Sequence, residues 1–127
     1  MFILAKAKQN LQAASFLIEK NFYAPSVHCS YYASFQMSKR KLLESGISYE
    51  QQDSDARGRK QDSHFYTIES TENCFSDSIR ASNYRHNMFK LRRLRKKSDY
   101  QNEAITKDEA EEAKKITFSN LELLGDD

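Results

Sequence analysis

Residues that break helices are almost absent from this chain of 127 residues. It contains three glycines and one proline, far below the share that these two residues take in an average globular protein. Turn-rich all-β folds need such residues at their tight turns, whereas long helices exclude them from their interiors. The sequence therefore favours an all-α fold.

Apolar residues recur every three or four positions over five segments, as they do on the buried face of a helix. We predict helices over residues 2–20, 25–45 and 77–98, a shorter one that starts near 62 or 63, and a last one over 106–124. This order predicts an up-and-down bundle of about five helices, with the second and fourth helices contributing most of the core.

Local signals mark the ends of these helices. Gly46 follows the second helix as a C-terminal cap, and Thr106 with Glu109 has the spacing of a capping box. Residues 47–62 have no apolar period, and we predict a surface loop there. Five residues of the fourth helix are expected to face inward, namely Ile79, Tyr84, Met88, Leu91 and Leu94.

Length and charge set further bounds. A chain of this size normally forms one domain, so we expect a single domain over residues 1–127. The formal net charge is only +2, but residues 85–97 carry seven basic and no acidic residues, and residues 103–112 carry five acidic residues against one basic. No apolar stretch has the length of a membrane span or of a signal-peptide core. We expect a cytoplasmic protein that does not contact a membrane.

Two groups of residues carry a resemblance to a known family. The first is Tyr-Tyr-Ala-x-Phe at 31–35, followed by Leu-Leu-x-x-Gly at 42–46, and the second is Arg-x-x-x-Asp-Tyr at 95–100. A lone histidine, His64, opens the third predicted helix between them. In this order and spacing they resemble the HEPN family of small helical-bundle proteins, most closely its compact prokaryotic branch.

The resemblance implies a four- or five-helix bundle of the type that serves as the substrate-binding subunit of a nucleotidyltransferase. Many members of the family are encoded beside a minimal nucleotidyltransferase in toxin–antitoxin pairs, and many form dimers. It therefore implies a homodimer, a small nucleotidyltransferase as a partner, and contact with RNA or a nucleotide. The number of large aromatic residues on the predicted helices also favours a homodimer, because one small core does not easily hide them all.

The resemblance also assigns candidate site residues. Ribonuclease members carry an arginine followed, after four to six residues, by a histidine that acts on the ribose hydroxyl. Arg95 matches the arginine, but Tyr100 stands where the histidine would be, and a phenol with a pKa of ~10 is a poor base near neutral pH. We therefore expect a binding or regulatory module, with a metal-independent ribonuclease toxin as the alternative. The expected ligand contacts are Arg95, Asp99 and Tyr100, with His64, Arg92 and Lys96 as accessory residues.

Simpler interpretations of these residues stay open. Arg95 and Asp99 lie four positions apart, the spacing of a common ion pair on a helix surface. The aromatic residues at 31–35 have the spacing of core or dimer packing. His28 and Cys29 are adjacent, but no further residues follow at the spacing of a metal site, so we expect neither a metal nor a cofactor.

Other arginine–histidine pairs also have the spacing of the ribonuclease motif. Arg57 and Arg59 precede His64, and Arg80 precedes His86. None of them stands at the position that the family uses, and chance matches are common for so short a pattern.

Overall fold

Six α-helices make up the computed structural model, which describes residues 2–100 and 103–125, apart from the side chain of Tyr100. The helices are α1 (Phe2–Glu19), α2 (Tyr23–Glu44), α3 (Tyr49–Gly58), α4 (Ser63–Glu72), α5 (Ser78–Tyr100) and α6 (Lys107–Leu124). No strand occurs within the described ranges. The predicted all-α helical bundle is confirmed.

Helix α2 lies at the centre of the bundle and packs against α1, α4, α5 and α6. The large apolar side chains that are fully buried come mainly from α2 and α5: Val27, Tyr31, Leu42, Tyr84, Met88 and Leu91. Small alanines of α1 and α6 close the remaining faces, and this permits a short distance between the helices. The two helices predicted to contribute most of the core do so.

A buried row of polar residues, here called the polar seam, runs between α2 and its neighbours. Its members are Ser30, Ser34 and Ser38 of α2, Tyr84 of α5, and Thr117 and Asn120 of α6. The Ser34 hydroxyl donates to Thr117 at 3.0 Å, and the amide of Asn120 donates to Ser34 at 3.1 Å. These bonds satisfy polar groups that would otherwise destabilise the core.

The predicted capping signals take the expected geometry. Gly46 adopts a φ of 95°, a left-handed conformation that glycine enters without steric cost, just beyond the end of α2. Thr106 and Glu109 form the reciprocal capping box at the start of α6. The carboxylate of Asp62 accepts a hydrogen bond from the His64 backbone at 2.8 Å and so begins α4.

The predicted surface loop over residues 47–62 is wrong, because α3 occupies most of it. Ser48 caps this helix by accepting from the backbone of Gln51. Only Gln52 and Ala56, one turn apart, are buried, and Gln52 donates to the carbonyl of Ile47 at 2.9 Å. A helix of ten residues that buries only one alanine and one glutamine leaves no apolar period in the sequence.

The predicted inward face of α5 is also wrong at one residue. Ile79 is 71% exposed, whereas Tyr84, Met88 and Leu91 are fully buried. Ile79 belongs to the first turn of α5 and is neither part of the buried core cluster of the described residues nor packed against it. Among the described helices, none is both long enough and apolar enough to cross a membrane.

Candidate functional site

The starts of α2 and α4 meet the last turns of α5, and this contact brings together four of the predicted site residues, namely His64, Arg92, Arg95 and Asp99. Asp99 near the end of α5 contacts the start of α2, and His64 at the start of α4 contacts the middle of α2. We call the resulting group the arginine cluster. It consists of Tyr31, Tyr32, His64, Arg92, Arg95 and Asp99, with His28 at its outer edge.

Arg95 is held on three sides. Its Nε donates to Asp99 Oδ2 at 3.2 Å, which confirms the ion pair expected from their spacing. Its guanidinium carbon lies 5.2 Å from the ring centroid of Tyr31 and 5.5 Å from that of Tyr32, within the range of a cation–π interaction. The side chain is only 12% exposed. Arg95 is therefore a fixed, mostly buried cation rather than one half of a solvent-exposed pair.

Asp99 joins α5 to the start of α2. Its Oδ2 lies 3.2 Å from His28 Nδ1, and the Ser98 hydroxyl donates to its other oxygen at 3.2 Å. The His28 ring also contacts Tyr32, with 4.7 Å between the ring centroids. We did not predict His28 as a site residue. The sequence signal that could have identified His28 is its position four residues before Tyr32, which places both side chains on one face of α2.

His64 lies inside the cluster. Its Nδ1 is 2.7 Å from the Tyr31 hydroxyl, and its ring stacks on Phe35 with 4.4 Å between centroids. Burial lowers the pKa of His64, and the positive charges of Arg95 and Arg92 act in the same direction against the opposing charge of Asp62. Burial also raises the pKa of the Tyr31 phenol. Both groups are thus neutral near pH 7 and share a hydrogen bond.

Arg92 precedes Arg95 by three residues, so both lie on the same face of α5. It donates to Asp62 Oδ2 at 2.6 Å, and its side chain is 16% exposed. Burial by itself would raise the pKa of Asp62. The hydrogen bond from the His64 backbone and the charge of Arg92 outweigh burial and hold this pKa below its ordinary value. The Nε of Arg92 is buried without a hydrogen-bond partner among the described residues. One donor of the cluster is therefore left without an acceptor.

Two hollows border the cluster. One, of about 310 Å³, is lined by Phe89, Arg92, Arg93 and Lys96, so it joins two predicted accessory residues to an aromatic ring. The second, of about 480 Å³, is lined by Ala24, Pro25, His28, Cys29, Ser98 and Asp99. The first hollow therefore lies beside Arg92, and the second lies beside Asp99.

The basic run of α5 is mostly neutralised by acidic residues of neighbouring helices. Arg85 pairs with Glu72 at 2.7 Å, Lys97 pairs with Glu109 at 2.9 Å, and Lys90 pairs with Glu112. Arg93 and Lys96 have no acidic partner within the described ranges. The uncompensated positive charge is therefore concentrated beside the arginine cluster.

The remaining sequence candidates have other surroundings. Arg80 donates to the carbonyl of Leu123 at 2.8 Å, and Arg59 lies 5.4 Å from the ring centroid of Tyr66. Tyr84 is fully buried and lies 2.6 Å from Ser38 Oγ, so it belongs to the core. Helix α5 extends to Tyr100, but the side chain of this residue lies outside the described part of the chain.

The chemistry available to the cluster follows from these contacts. Two guanidinium groups on one helix face offer planar, charge-assisted donors that suit a phosphate or a carboxylate. Two imidazoles stand near them, and imidazole is the usual group for proton transfer near neutral pH. Among the described residues, no three His, Cys, Asp or Glu side chains are grouped as metal ligands.

Comparison with known proteins agrees with this architecture. The HEPN domain matches residues 1–124 of the 127. A search of curated proteins and a search of solved structures returned no match. With almost its whole length matched, the chain belongs to the HEPN domain family.

Proposed function

We propose that this HEPN domain is a binding and regulatory module that recognises a phosphate-bearing ligand, a nucleotide or RNA, at the arginine cluster. It would act as a component of a toxin–antitoxin or nucleotidyltransferase-partner system. The observation that carries the proposal is the buried Nε of Arg92, which has no acceptor among the described residues and lies one helix turn from Arg95. A buried donor without an acceptor costs about 1–3 kcal/mol, and a ligand oxygen would remove that cost once the Arg92 side chain turns toward the hollow that it lines.

The surroundings of the two arginines suit an anion more than a neutral ligand. Asp99 and the rings of Tyr31 and Tyr32 hold Arg95 in one orientation before any ligand binds, which reduces the entropy lost on binding. Arg93 and Lys96 add charge beside the hollow next to Arg92. Phe89 offers a ring edge to a base, although Arg85 already covers its face at 4.9 Å from the centroid.

The absence of a histidine at the family's catalytic position favours binding over chemistry. Tyr100 stands five residues after Arg95, and its phenol is a weak base near neutral pH. In this proposal Arg95, Asp99 and Tyr100 contact the ligand, and His64, Arg92 and Lys96 surround it.

The test is a titration of fluorescein-labelled RNA and of labelled adenosine triphosphate into the purified chain, followed by fluorescence polarisation. Arg95→Ala and Arg92→Ala should each weaken binding by about 1.5–3 kcal/mol, the range for a hydrogen bond to a charged group. Lys115→Ala, an exposed change of the same charge on α6, is the matched control. Equal losses for all three variants would mean that only diffuse charge attracts the ligand.

A second candidate function is a metal-independent ribonuclease. It is favoured by the two histidines that the fold brings to the cluster, His28 through Asp99 and His64 through Tyr31. Either imidazole would replace the missing motif histidine as a general base or acid. Incubation of the chain with RNA in excess EDTA tests this candidate. If the RNA is cleaved, and if cleavage is lost in Arg95→Ala and in either His28→Ala or His64→Ala, the chain is an enzyme.

We also propose a homodimer. Several large aromatic side chains stay exposed, among them Phe16, Phe22 and Phe118 at 49–57%, and an excess of exposed apolar surface commonly marks an interface. Light scattering at tens of micromolar should give twice the monomer mass of 14.8 kDa. A small nucleotidyltransferase encoded beside this chain should co-purify with it, and failure of the two proteins to bind each other would remove the partner proposal.

A further inference from the structure

An apolar groove borders α1, α2 and α3, with Tyr32 and Phe35 in its wall. It has a volume of about 460 Å³, within the range of ligand pockets, roughly 300–1,000 Å³. Six apolar or aromatic side chains form its walls: Phe2, Ile3, Tyr32, Phe35, Leu43 and Tyr49. Leu43 and Tyr49 are more than one-third exposed, so the walls are open to solvent.

The polar residues of the groove are all cationic or neutral. Lys6 and Lys39 line it together with Gln36, and no acidic residue of the described chain does. The Nζ of Lys39 lies 5.8 Å from the ring centroid of Phe35 and 5.4 Å from that of Tyr49. Contact with both rings holds the ammonium group over the apolar surface. The groove thus combines an apolar floor with a fixed positive charge.

We propose that this groove binds a small dissolved amphipathic anion, an alkyl or aryl carboxylate. Its apolar body would lie against the aromatic walls, and its carboxylate would pair with Lys39 and Lys6. An uncharged ligand would leave the lysines without a partner, and a cation would be repelled by them. Charge and shape together select this class over a neutral hydrocarbon.

The groove shares two walls with the arginine cluster. Tyr32 lines the groove, and its ring centroid also lies 5.5 Å from the guanidinium carbon of Arg95. Phe35 lines the groove and stacks on the ring of His64. A ligand in the groove would therefore contact rings that hold Arg95 and His64 in place. Occupancy of the groove should be detectable at the imidazole of His64, although no ligand atom reaches it.

The experiment is a titration of decanoate into the full chain labelled with ¹⁵N, followed by nuclear magnetic resonance. Saturable shifts are expected for backbone amides of α1–α3 and for the ring nitrogens of His64. Leu43→Glu places a carboxylate on the groove wall and should weaken binding by at least about tenfold. Lys39→Gln should weaken it by about fivefold, the upper range for an exposed ion pair.

Two controls keep the result specific. Lys115→Gln removes one positive charge from α6, outside the groove, and should leave the affinity for decanoate unchanged. Decylamine has an apolar chain only one carbon longer and the opposite charge, and its binding should not saturate. All substituted side chains are partly exposed, so the ligand-free spectrum of each variant should retain the native dispersion.

Three outcomes would overturn the proposal. One is shifts that never saturate, and another is an equal response to decylamine. The third is that the wild type is a dimer that does not bind decanoate and the Leu43→Glu variant is a monomer. The groove would then be an interface between two copies of the chain. None of these measurements uses RNA or a nucleotide, so they do not depend on the function proposed for the arginine cluster.

Discussion

The polar seam and the arginine cluster are two polar regions built on the same helix, α2, and they differ in how their polar groups are satisfied. The seam is fully buried, uncharged and hydrogen-bonded inside the protein, apart from the hydroxyl of Ser30. The cluster is charged, partly exposed, and contains a buried donor of Arg92 without an acceptor.

The difference fits a structural role for the seam and the binding role that we propose for the cluster. A polar group that is already paired inside a core gains nothing from a ligand, and its removal costs stability. A fixed guanidinium group at the edge of the core can donate hydrogen bonds to an anion in the proposed site. Substitutions in the seam should therefore affect folding, whereas those in the cluster should mainly affect binding.

The largest effect is expected from Asn120→Ala in the polar seam. This change leaves Ser34 Oγ and Asn87 Nδ2 without the partner they have at 3.1 and 3.0 Å. The free energy of unfolding should fall by about 2–3 kcal/mol, since buried groups lose their hydrogen bonds. Urea denaturation measures it, with Lys115→Ala on the same helix as the control. A loss no larger than that of the control would remove the distinction between the two regions.

A smaller loss of stability is expected from Arg95→Ala. The change removes the ion pair with Asp99 and the contacts with the rings of Tyr31 and Tyr32. Together they should contribute about 1–2 kcal/mol, since the guanidinium is largely desolvated. Arg95→Lys keeps the charge but loses the planar contact with the rings, so it should recover only part of this stability. Full recovery by lysine would show that the rings do not matter.

The pH dependence of stability should change in His64→Gln. Because burial lowers the pKa of His64 below its ordinary 6.5, the unfolded chain binds more protons than the folded one between the two values. Stability therefore rises with pH through this window and is lost as the pH falls below about 6.5. The variant should show a shallower slope in urea titrations from pH 5 to 7. Ser63→Ala, an exposed change next to it on α4, should keep the slope of the wild type.

The smallest effect is expected at the outer edge of the cluster, from His28→Ala. The His28 side chain is 47% exposed and contacts Asp99 at 3.2 Å, so its loss should change stability by no more than about 0.5 kcal/mol. Thermal unfolding at pH 7 measures this. A loss as large as that of Arg95→Ala would place His28 among the residues that hold the cluster together.

Helical periodicity grouped the candidate residues that lie on one helix, whereas His64 was named from the family resemblance alone. Arg92, Arg95 and Asp99 are three or four residues apart, so helical periodicity alone places them on one face. The partners on other helices followed no local pattern. His64 lies 33 residues from Tyr31, and His28 lies 71 residues from Asp99, and only the packing of α2 and α4 against α5 brings them together.

By itself, the sequence determined the all-α class, five of the six helices, and the capping at Gly46 and Thr106, because all of these depend on residues close together in the chain. It failed at α3, which buries too little to leave a periodic signal. Only the tertiary structure decided that Arg95 is buried between two tyrosine rings, that the basic run of α5 is mostly paired, and that an apolar groove with two lysines lies behind Tyr32 and Phe35. Burial and charge pairing depend on which helices meet, and contacts between distant segments set both.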